Sequence, residues 1–415
     1  MRGRYIVALA VLTAGAFICP AAGSRPRLDS WAQNARGRYL VIVGDCAACH
    51  TTEWGEPFAG DKPVPTPFGT VYSANITPDE ETGIGAWTDA EFLRAMRHGI
   101  SADGSRLYPA FPYPWFTRVT REDLLAIRAY LDTLEPVHSV ERENELAWPM
   151  SWRFLVSGWN LLYLDSGAFE PDPELTAEQN RGAYLVQGPG HCGACHTPKS
   201  WMGGPQRDQA YAGNALQNWF AAKLDGDETS GLGAWSEQDI VEYLRTGSNG
   251  FAFAGGLMQE VVEKSTSRMR QSDLEAIAAY LKTLPPGEDT GGDGDDTAVA
   301  AAEQFPEGHR VYVDNCIGCH GYEGEGLPDV FPPLDGRATV LSPNATSLIH
   351  AVLRGISEAS TEARPTRIRM PGFAWKLSDE QVAAVVNYVR NAWGNHASTV
   401  DASAVAEIRE ATSAG

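Results

Sequence analysis

One short pattern constrains this chain more than any other: Cys-x-x-Cys-His occurs three times, as CAACH at 46–50, CGACH at 192–196 and CIGCH at 316–320. Two thiols three residues apart share one face of a helical turn, and a histidine follows the second at once. A redox dithiol does not require that histidine. A zinc site needs two such sets converging in one domain, whereas each copy here stands far from the next. One chemistry uses all three side chains: the thiols form thioethers with the two vinyl groups of a haem, and the histidine ligates the iron. Three covalent haems c are therefore expected, held by Cys46, Cys49 and His50, by Cys192, Cys195 and His196, and by Cys316, Cys319 and His320.

Each copy is embedded in a longer repeat: a helix signal, the cysteine motif, a Gly/Pro-rich stretch, a helix ending near glycine, a loop and a closing amphipathic helix. RGRYL at 36–40 precedes the first motif and RGAYL at 181–185 the second, with a looser version at 308–313 before the third. TGIGAWT at 82–88 matches SGLGAWS at 230–236, which places Thr88 and Ser236 as helix N-caps. The closing helices fall at 123–131, 273–281 and 379–389. In the first, Leu124, Ile127, Tyr130 and Leu131 are spaced to share a face that packs against the helix before the haem motif. An all-α fold of three tandem class I cytochrome c domains is expected, at 24–140, 176–286 and 304–396.

The segments between them differ in kind. The connector at 141–175 carries Trp148, Trp152, Phe154, Trp159 and Tyr163, an aromatic density suited to packing across two domains or to a docking surface. The linker at 287–303 is acidic and glycine-rich, the composition of a disordered tether that leaves the third unit semi-independent. The tail at 397–415 is expected to fray or to form a weak partner helix.

Arg2, Arg4, an apolar run at 5–18 and the small residues Ala21, Ala22 and Gly23 form a cleavable signal peptide at 1–23, which implies a periplasmic protein. Six of the seven cysteines lie in the three motifs and Cys19 lies in the leader, leaving none for a structural disulfide. With 33 basic and 53 acidic residues the formal net charge is −20. Such a surface repels nucleic acid and favours basic patches on protein partners. No nucleotide-binding fingerprint and no nucleophile constellation stands out, so no substrate site is expected.

The sixth iron ligand decides what each haem does, because a thioether fills the site and raises the potential whereas an open position permits chemistry. Met370, before the last helix, is the expected ligand of the third haem. Met258 is preferred over Met269 for the second, since Met269 adjoins the closing helix and suits core packing. In the first unit the equivalent position is Phe111, which cannot ligate iron. Met96, His98, Met150 or no protein ligand remain. The histidines at 138, 191, 309, 350 and 396 have no ligand spacing and read as surface or local polar residues.

Taken together, LYPAFPY at 107–113, WNLL at 159–162, RGAYLVQGPGHCGACHTP at 181–198, MQEVV at 258–262, FPPL at 331–334 and MPGF at 370–373 resemble the triple-haem cytochrome c subunit of bacterial membrane-associated dehydrogenases acting on alcohols, gluconate, sorbitol or aldehydes. The resemblance covers nearly the whole mature chain. It implies a periplasmic subunit, peripherally attached to the outer face of the inner membrane through its partners. Such a subunit takes electrons from a catalytic subunit of quinoprotein, flavoprotein or molybdenum type and passes them to membrane ubiquinone or a terminal oxidase. Met258 and Met370 match the family's axial methionines, and Phe111 departs from the methionine that members often carry there. That departure motivates an alternative, a peroxidase-like haem enzyme working at an open first haem.

Overall fold

The computed structural model describes residues 26–287, 301–328 and 330–413. The expected leader with Cys19, and most of the acidic linker, lie outside the described residues.

The first unit contains α1 (Pro26–Val43), α2 (Cys46–His50), β1 (Pro63–Thr66), β2 (Gly69–Tyr72), α3 (Asp89–His98), α4 (Tyr113–Phe116) and α5 (Arg121–Leu131). The connector adds β3 (Glu145–Leu146) and α6 (Leu155–Tyr163). The second unit contains α7 (Ala177–Gln187), α8 (Gly193–His196), β4 (Asn214–Leu216), β5 (Trp219–Ala221), α9 (Glu237–Thr246), α10 (Leu257–Lys264) and α11 (Gln271–Leu281). The third contains α12 (Ala301–Gln304), α13 (Pro306–Asn315), α14 (Ile317–His320), α15 (Ala338–Leu341), α16 (Thr346–Arg354), β6 (Gly355–Ser357), β7 (Arg369–Pro371), α17 (Asp379–Asn391) and α18 (Ala402–Ser413).

The chain is predominantly helical, but an all-α expectation misses its short antiparallel strands. Strand β2 pairs with β1 and β3 (Pro63 opposite Tyr72, Gly69 opposite Leu146), β4 with β5 (Asn214 opposite Ala221), and β6 with β7 (Ile356 opposite Met370). Strands this short show no alternating pattern. The β4–β5 hairpin turns on Gln217 and Asn218, both at positive φ (46° and 62°), as a two-residue hairpin requires.

Helix ends follow local chemistry. Thr88 and Ser236 close capping boxes with Glu91 and Asp239, and α3 and α9 stop at the left-handed glycines Gly99 and Gly247. Leu124, Ile127 and Leu131 are buried, with Tyr130 half-buried beside them.

In each unit the helix before the cysteine motif crosses the closing helix: α1 over α5, α7 over α11, and α13 over α17. Glycine stands at every crossing. A Cβ added to Gly37, Gly182 or Gly308 would lie 1.8, 1.9 or 2.1 Å from the carbonyl oxygen of Ala126, Ala276 or Ala384. Only a residue without a side chain permits that approach.

A second device recurs three times: one cation in or directly after each closing helix is spent on backbone carbonyls elsewhere in its unit. Arg128 donates to the carbonyls of Ile84 and Trp87 (2.7 and 2.9 Å). Lys282 donates to those of Leu232, Gly233 and Trp235 (3.1, 2.9 and 2.8 Å). Arg390, fully buried, donates to those of Val340, Ser342 and Ser398 (2.7, 2.8 and 2.9 Å). Arg390→Met keeps most of the bulk but strands these acceptors, so it is expected to destabilise the protein by about 3 kcal/mol. An unchanged thermal unfolding midpoint for this variant would show that the latch contributes nothing.

Hydrogen bonds run from the segment 155–163 to residues on both sides of it in the chain. Trp159 is buried and its Nε1 donates to the Met202 carbonyl (3.0 Å), Asn160 accepts from the Tyr113 hydroxyl (2.5 Å), and Tyr163 accepts from Ser200 (3.0 Å). The connector leaves Trp148, Phe154, Leu161 and Leu162 exposed.

A long tether allows the third unit to move independently, yet the structure packs it on unit two. The ring of His350 stacks on Trp219 (centroids 4.0 Å apart) and its Nδ1 donates to the Asn218 carbonyl (2.9 Å). Ser347 Oγ bonds both the N–H and the carbonyl of Phe220 (2.8 and 3.3 Å). The tail is equally well tied. Helix α18 buries Val405 completely, and Arg409 donates to Asp379 (2.6 Å) and to the Ala374 and Leu377 carbonyls (2.7 and 2.8 Å).

Candidate functional site

The three cysteine motifs form short helices or turns directly after α1, α7 and α13. Among the described residues no two cysteines form a disulfide. Burial pushes the Cys46 and Cys192 thiols up to about 12 and that of Cys316 up to about 11, and raises that of Cys195 as well. A redox dithiol needs the opposite, a thiol pKa lowered toward neutrality.

The histidines are held alike. Nδ1 of His50 lies 2.7 Å from the Ala74 carbonyl, that of His196 2.7 Å from the Ala222 carbonyl, and that of His320 3.3 Å from the Pro332 carbonyl. A carbonyl only accepts, so Nδ1 carries the proton and the Nε2 lone pair is left for a metal. Burial also lowers the pKa of all three rings and favours the neutral imidazole a metal needs. Two nearby thiols and a neutral imidazole with its outer nitrogen fixed suit a covalently attached haem.

Candidates for the opposite side of each site vary. Met370 is half-buried in β7, paired with Ile356. Met258 is half-buried in the first turn of α10. Met269 is buried in the core of unit two, with Leu274 and Ile277. In unit one Met96 is buried in the core beside Phe92 and Leu124, His98 is exposed, and Met150 is half-buried in the connector. Phe111 is half-buried, its ring centroid 5.6 Å from that of Phe116 and 6.2 Å from that of Tyr113.

Units one and two exchange equivalent contacts, a pseudo-symmetry that the sequence repeat alone does not reveal. Tyr39 of α1 donates to Asp273 of α11 (2.5 Å), which also pairs with Arg181 (2.8 Å). Reciprocally, Tyr184 of α7 donates to Asp123 of α5, which also pairs with Arg36. Burial opposes ionisation of Asp273, but Arg181 and Tyr39 outweigh it and hold the carboxyl below its usual range. Tyr39, Tyr184 and their acids recur at the same repeat positions, the one sequence signal for these clamps.

The clamps bring the first two cysteine motifs together. Trp115 of α4 lies against Gly193, where an added Cβ would meet its Nε1 at 2.8 Å, and Lys199 caps the Trp115 ring at 4.5 Å. His191, which reads as a local polar residue, stacks on Phe116 in the same interface. From the other side α10 reaches unit one: Lys62 donates to Glu260 (2.9 Å) and to the Ala48 carbonyl (2.5 Å).

Asp45 lies between the two motifs, with Oδ1 buried and unpartnered and its backbone left-handed (φ 47°). Burial, with Glu260 adding to it, raises its carboxyl to about 8, against the pull of Lys264, Lys62 and Arg268. A carboxyl raised on folding binds its proton more tightly in the folded state. Its contribution to stability is thus full below pH 4 and is lost as pH rises through about 8. Asp45→Asn is expected to flatten this slope and to be more stable than the parent at pH 9, which denaturant titrations at several pH values check.

The cytochrome c family profile matches residues 305–393. The cytochrome c subunit of the quinone alcohol dehydrogenase of Gluconacetobacter polyoxogenes is 41% identical, over 90% of this chain and 84% of its own length. The gluconate 2-dehydrogenase cytochrome c subunit of Pantoea cypripedii is 41% identical, over 90% of this chain and 89% of its own. The fructose dehydrogenase cytochrome subunit of Gluconobacter japonicus is 34% identical, over 94% and 84%. With identity at this level across nearly its whole length, the chain belongs to the family of haem-carrying cytochrome c subunits of dehydrogenases.

Proposed function

We propose that the chain is a three-haem electron conduit. It accepts electrons from a separate dehydrogenase catalytic subunit, of quinoprotein, flavoprotein or molybdenum type, and delivers them to membrane ubiquinone or a terminal oxidase at the outer face of the inner membrane. In this reading the three units are tandem class I cytochrome c domains. Cys46 and Cys49, Cys192 and Cys195, and Cys316 and Cys319 attach the haems, with His50, His196 and His320 as proximal ligands and Met258 and Met370 as axial ligands of the second and third. Each haem, when bound, supplies a one-electron carrier.

The observation that carries this reading is the threefold recurrence of a neutral histidine beside paired thiols, its Nδ1 on a backbone carbonyl. The protein's own part is positional. Carbonyls orient the imidazoles, buried helix crossings hold the motifs in place, and the reciprocal Tyr–Asp clamps fix the first motif against the second. Among the described residues no helix is long and apolar enough to cross a membrane. The exposed Trp148, Phe154, Leu161 and Leu162 form an apolar surface suited to peripheral association.

The loaded chain is expected to stay oxidised with an alcohol, an aldehyde or a sugar acid alone, and to be reduced once the co-purifying catalytic subunit and its substrate are present. Oxidation of such a substrate by the isolated chain would overturn the proposal. Phe111 favours one further reading, a peroxidase-like activity at an open first haem. A wholly low-spin oxidised protein indifferent to cyanide and peroxide would exclude it.

A further inference from the structure

We propose that the third unit sets the sixth coordination position of the second haem, with Ala359 and Ile356 as positioning residues for Met258. The inference rests on the reading of Met258 as that ligand. Met258 is the second residue of α10, a helix that starts at Leu257 directly after Gly255 and Gly256. Gly256 has φ 56° and ψ −132°, and no side chain caps the helix start. A double glycine before an uncapped turn does not hold itself in place.

Unit three holds it instead. Ala359, beyond β6, is buried in a cluster with Ala254 and Val262 against which Met258 and Tyr243 pack. The contact is close enough that a Cβ on Gly247 would lie 2.7 Å from the Ala359 Cβ. The Ile356 side chain covers Gly255, where an added Cβ would meet its Cδ1 at 2.0 Å. The Trp219 ring covers Gly256 and is itself stacked under His350 of unit three. At the far end of α10, Glu263 accepts from the Ser360 N–H (2.8 Å) and from Arg367 (2.5 Å). Unit one holds the same helix through Glu260 and Ser265, whose Oγ donates to the Val43 carbonyl (3.1 Å). None of those unit-one contacts reaches the glycines or Met258.

Ile356 is also the strand partner of Met370. The segments that present the two axial methionines therefore pack back to back, and a shift in one is felt by the other. Packed interfaces of this kind switch between discrete arrangements rather than deforming smoothly. Undocking the third unit would free the Gly255–Gly256 hinge and let Met258 leave the iron.

The test uses the full haem-loaded chain. Ala359→Leu overfills the cluster, and Arg367→Glu reverses the charge facing Glu263 on a half-exposed side chain. The readouts are the methionine-to-iron charge-transfer band of the oxidised protein and the individual midpoint potentials, with Met258→Ala and Met370→Ala as references. Ala359→Leu is expected to lose the share of the band that Met258→Ala loses, to lower the same midpoint, and to leave far-ultraviolet dichroism unchanged. Arg367→Glu is expected to do so in part. Parental bands and potentials in both variants would overturn the proposal, as would loss of the share belonging to Met370 with that of Met258 retained. If Ala359→Leu fails to retain haem, Arg367→Glu decides alone by the same criteria. If Met258→Ala leaves the band intact, the ligand assignment itself has failed, which is a separate result.

Discussion

Gly182→Ala is expected to destabilise the second unit by about 3 kcal/mol, near the upper end of the usual cost of overpacking. For a unit of this size that lowers its unfolding midpoint by roughly 10–20 °C. The new methyl group would lie 1.9 Å from the Ala276 carbonyl oxygen and 2.7 Å from the Tyr280 Cβ. Backbone cannot step aside as a flexible side chain can, so α7 must lift from α11. That movement carries the start of the cysteine motif with it, and weaker retention of the second haem is the accompanying effect. Gly37→Ala and Gly308→Ala repeat the experiment in the other units. Gly158 in α6 is the control, since nothing lies within 4 Å of its added Cβ, and alanine there should be neutral or slightly stabilising. Thermal melts of the four loaded variants read the result directly. Equal midpoints for Gly158→Ala and Gly182→Ala would mean the helix crossing carries no special load.

These glycines show where the sequence was legible and where it was not. The pattern Arg-Gly-x-Tyr before two of the motifs is visible as a repeat, but what the glycine meets is a carbonyl about 90 residues away. Local features were readable because their causes are local. Thr88 and Ser236 cap their helices through residues three positions on, and the Leu124 stripe follows helical spacing. The hairpin strands escaped because three or four residues are too few for an alternating pattern.

Contacts between units were illegible for a different reason. Tyr39 and Tyr184 read as aromatic members of a helix, and nothing local says that each donates to an aspartate of the other unit. The acidic linker describes only what lies between units two and three. Whether unit three docks depends on Trp219, His350 and Ser347, which carry no shared motif. The cofactor chemistry, by contrast, was written into adjacent residues. A thiol pair and a histidine in five positions need no tertiary partner to be recognised, whereas the proposed partners Met258 and Met370 stand in α10 and β7, 50 or more residues beyond their motifs.

Phe111→Met is expected to convert the first haem to histidine–methionine ligation and to raise its midpoint potential by a sizeable share of the ~0.8 V that axial ligands span. Phe111 occupies the loop directly before α4, half-buried against Phe116 and Tyr113. Methionine has similar bulk and an adaptable chain, so the fold should accept it at little cost. The present chain offers the first iron poor substitutes. Met96 is packed in the core beside Phe92 and Leu124, His98 is exposed, and Met150 is held in the connector, its N–H bonded to the Ala147 carbonyl (2.7 Å). Oxidised wild type should thus bind cyanide at its first haem, and Phe111→Met should lose that binding while gaining methionine-to-iron charge-transfer intensity. His98→Ala and Met150→Ala should leave both properties unchanged. If either alanine variant alters the spin state, that side chain is the native ligand. The first haem would then be a third closed carrier.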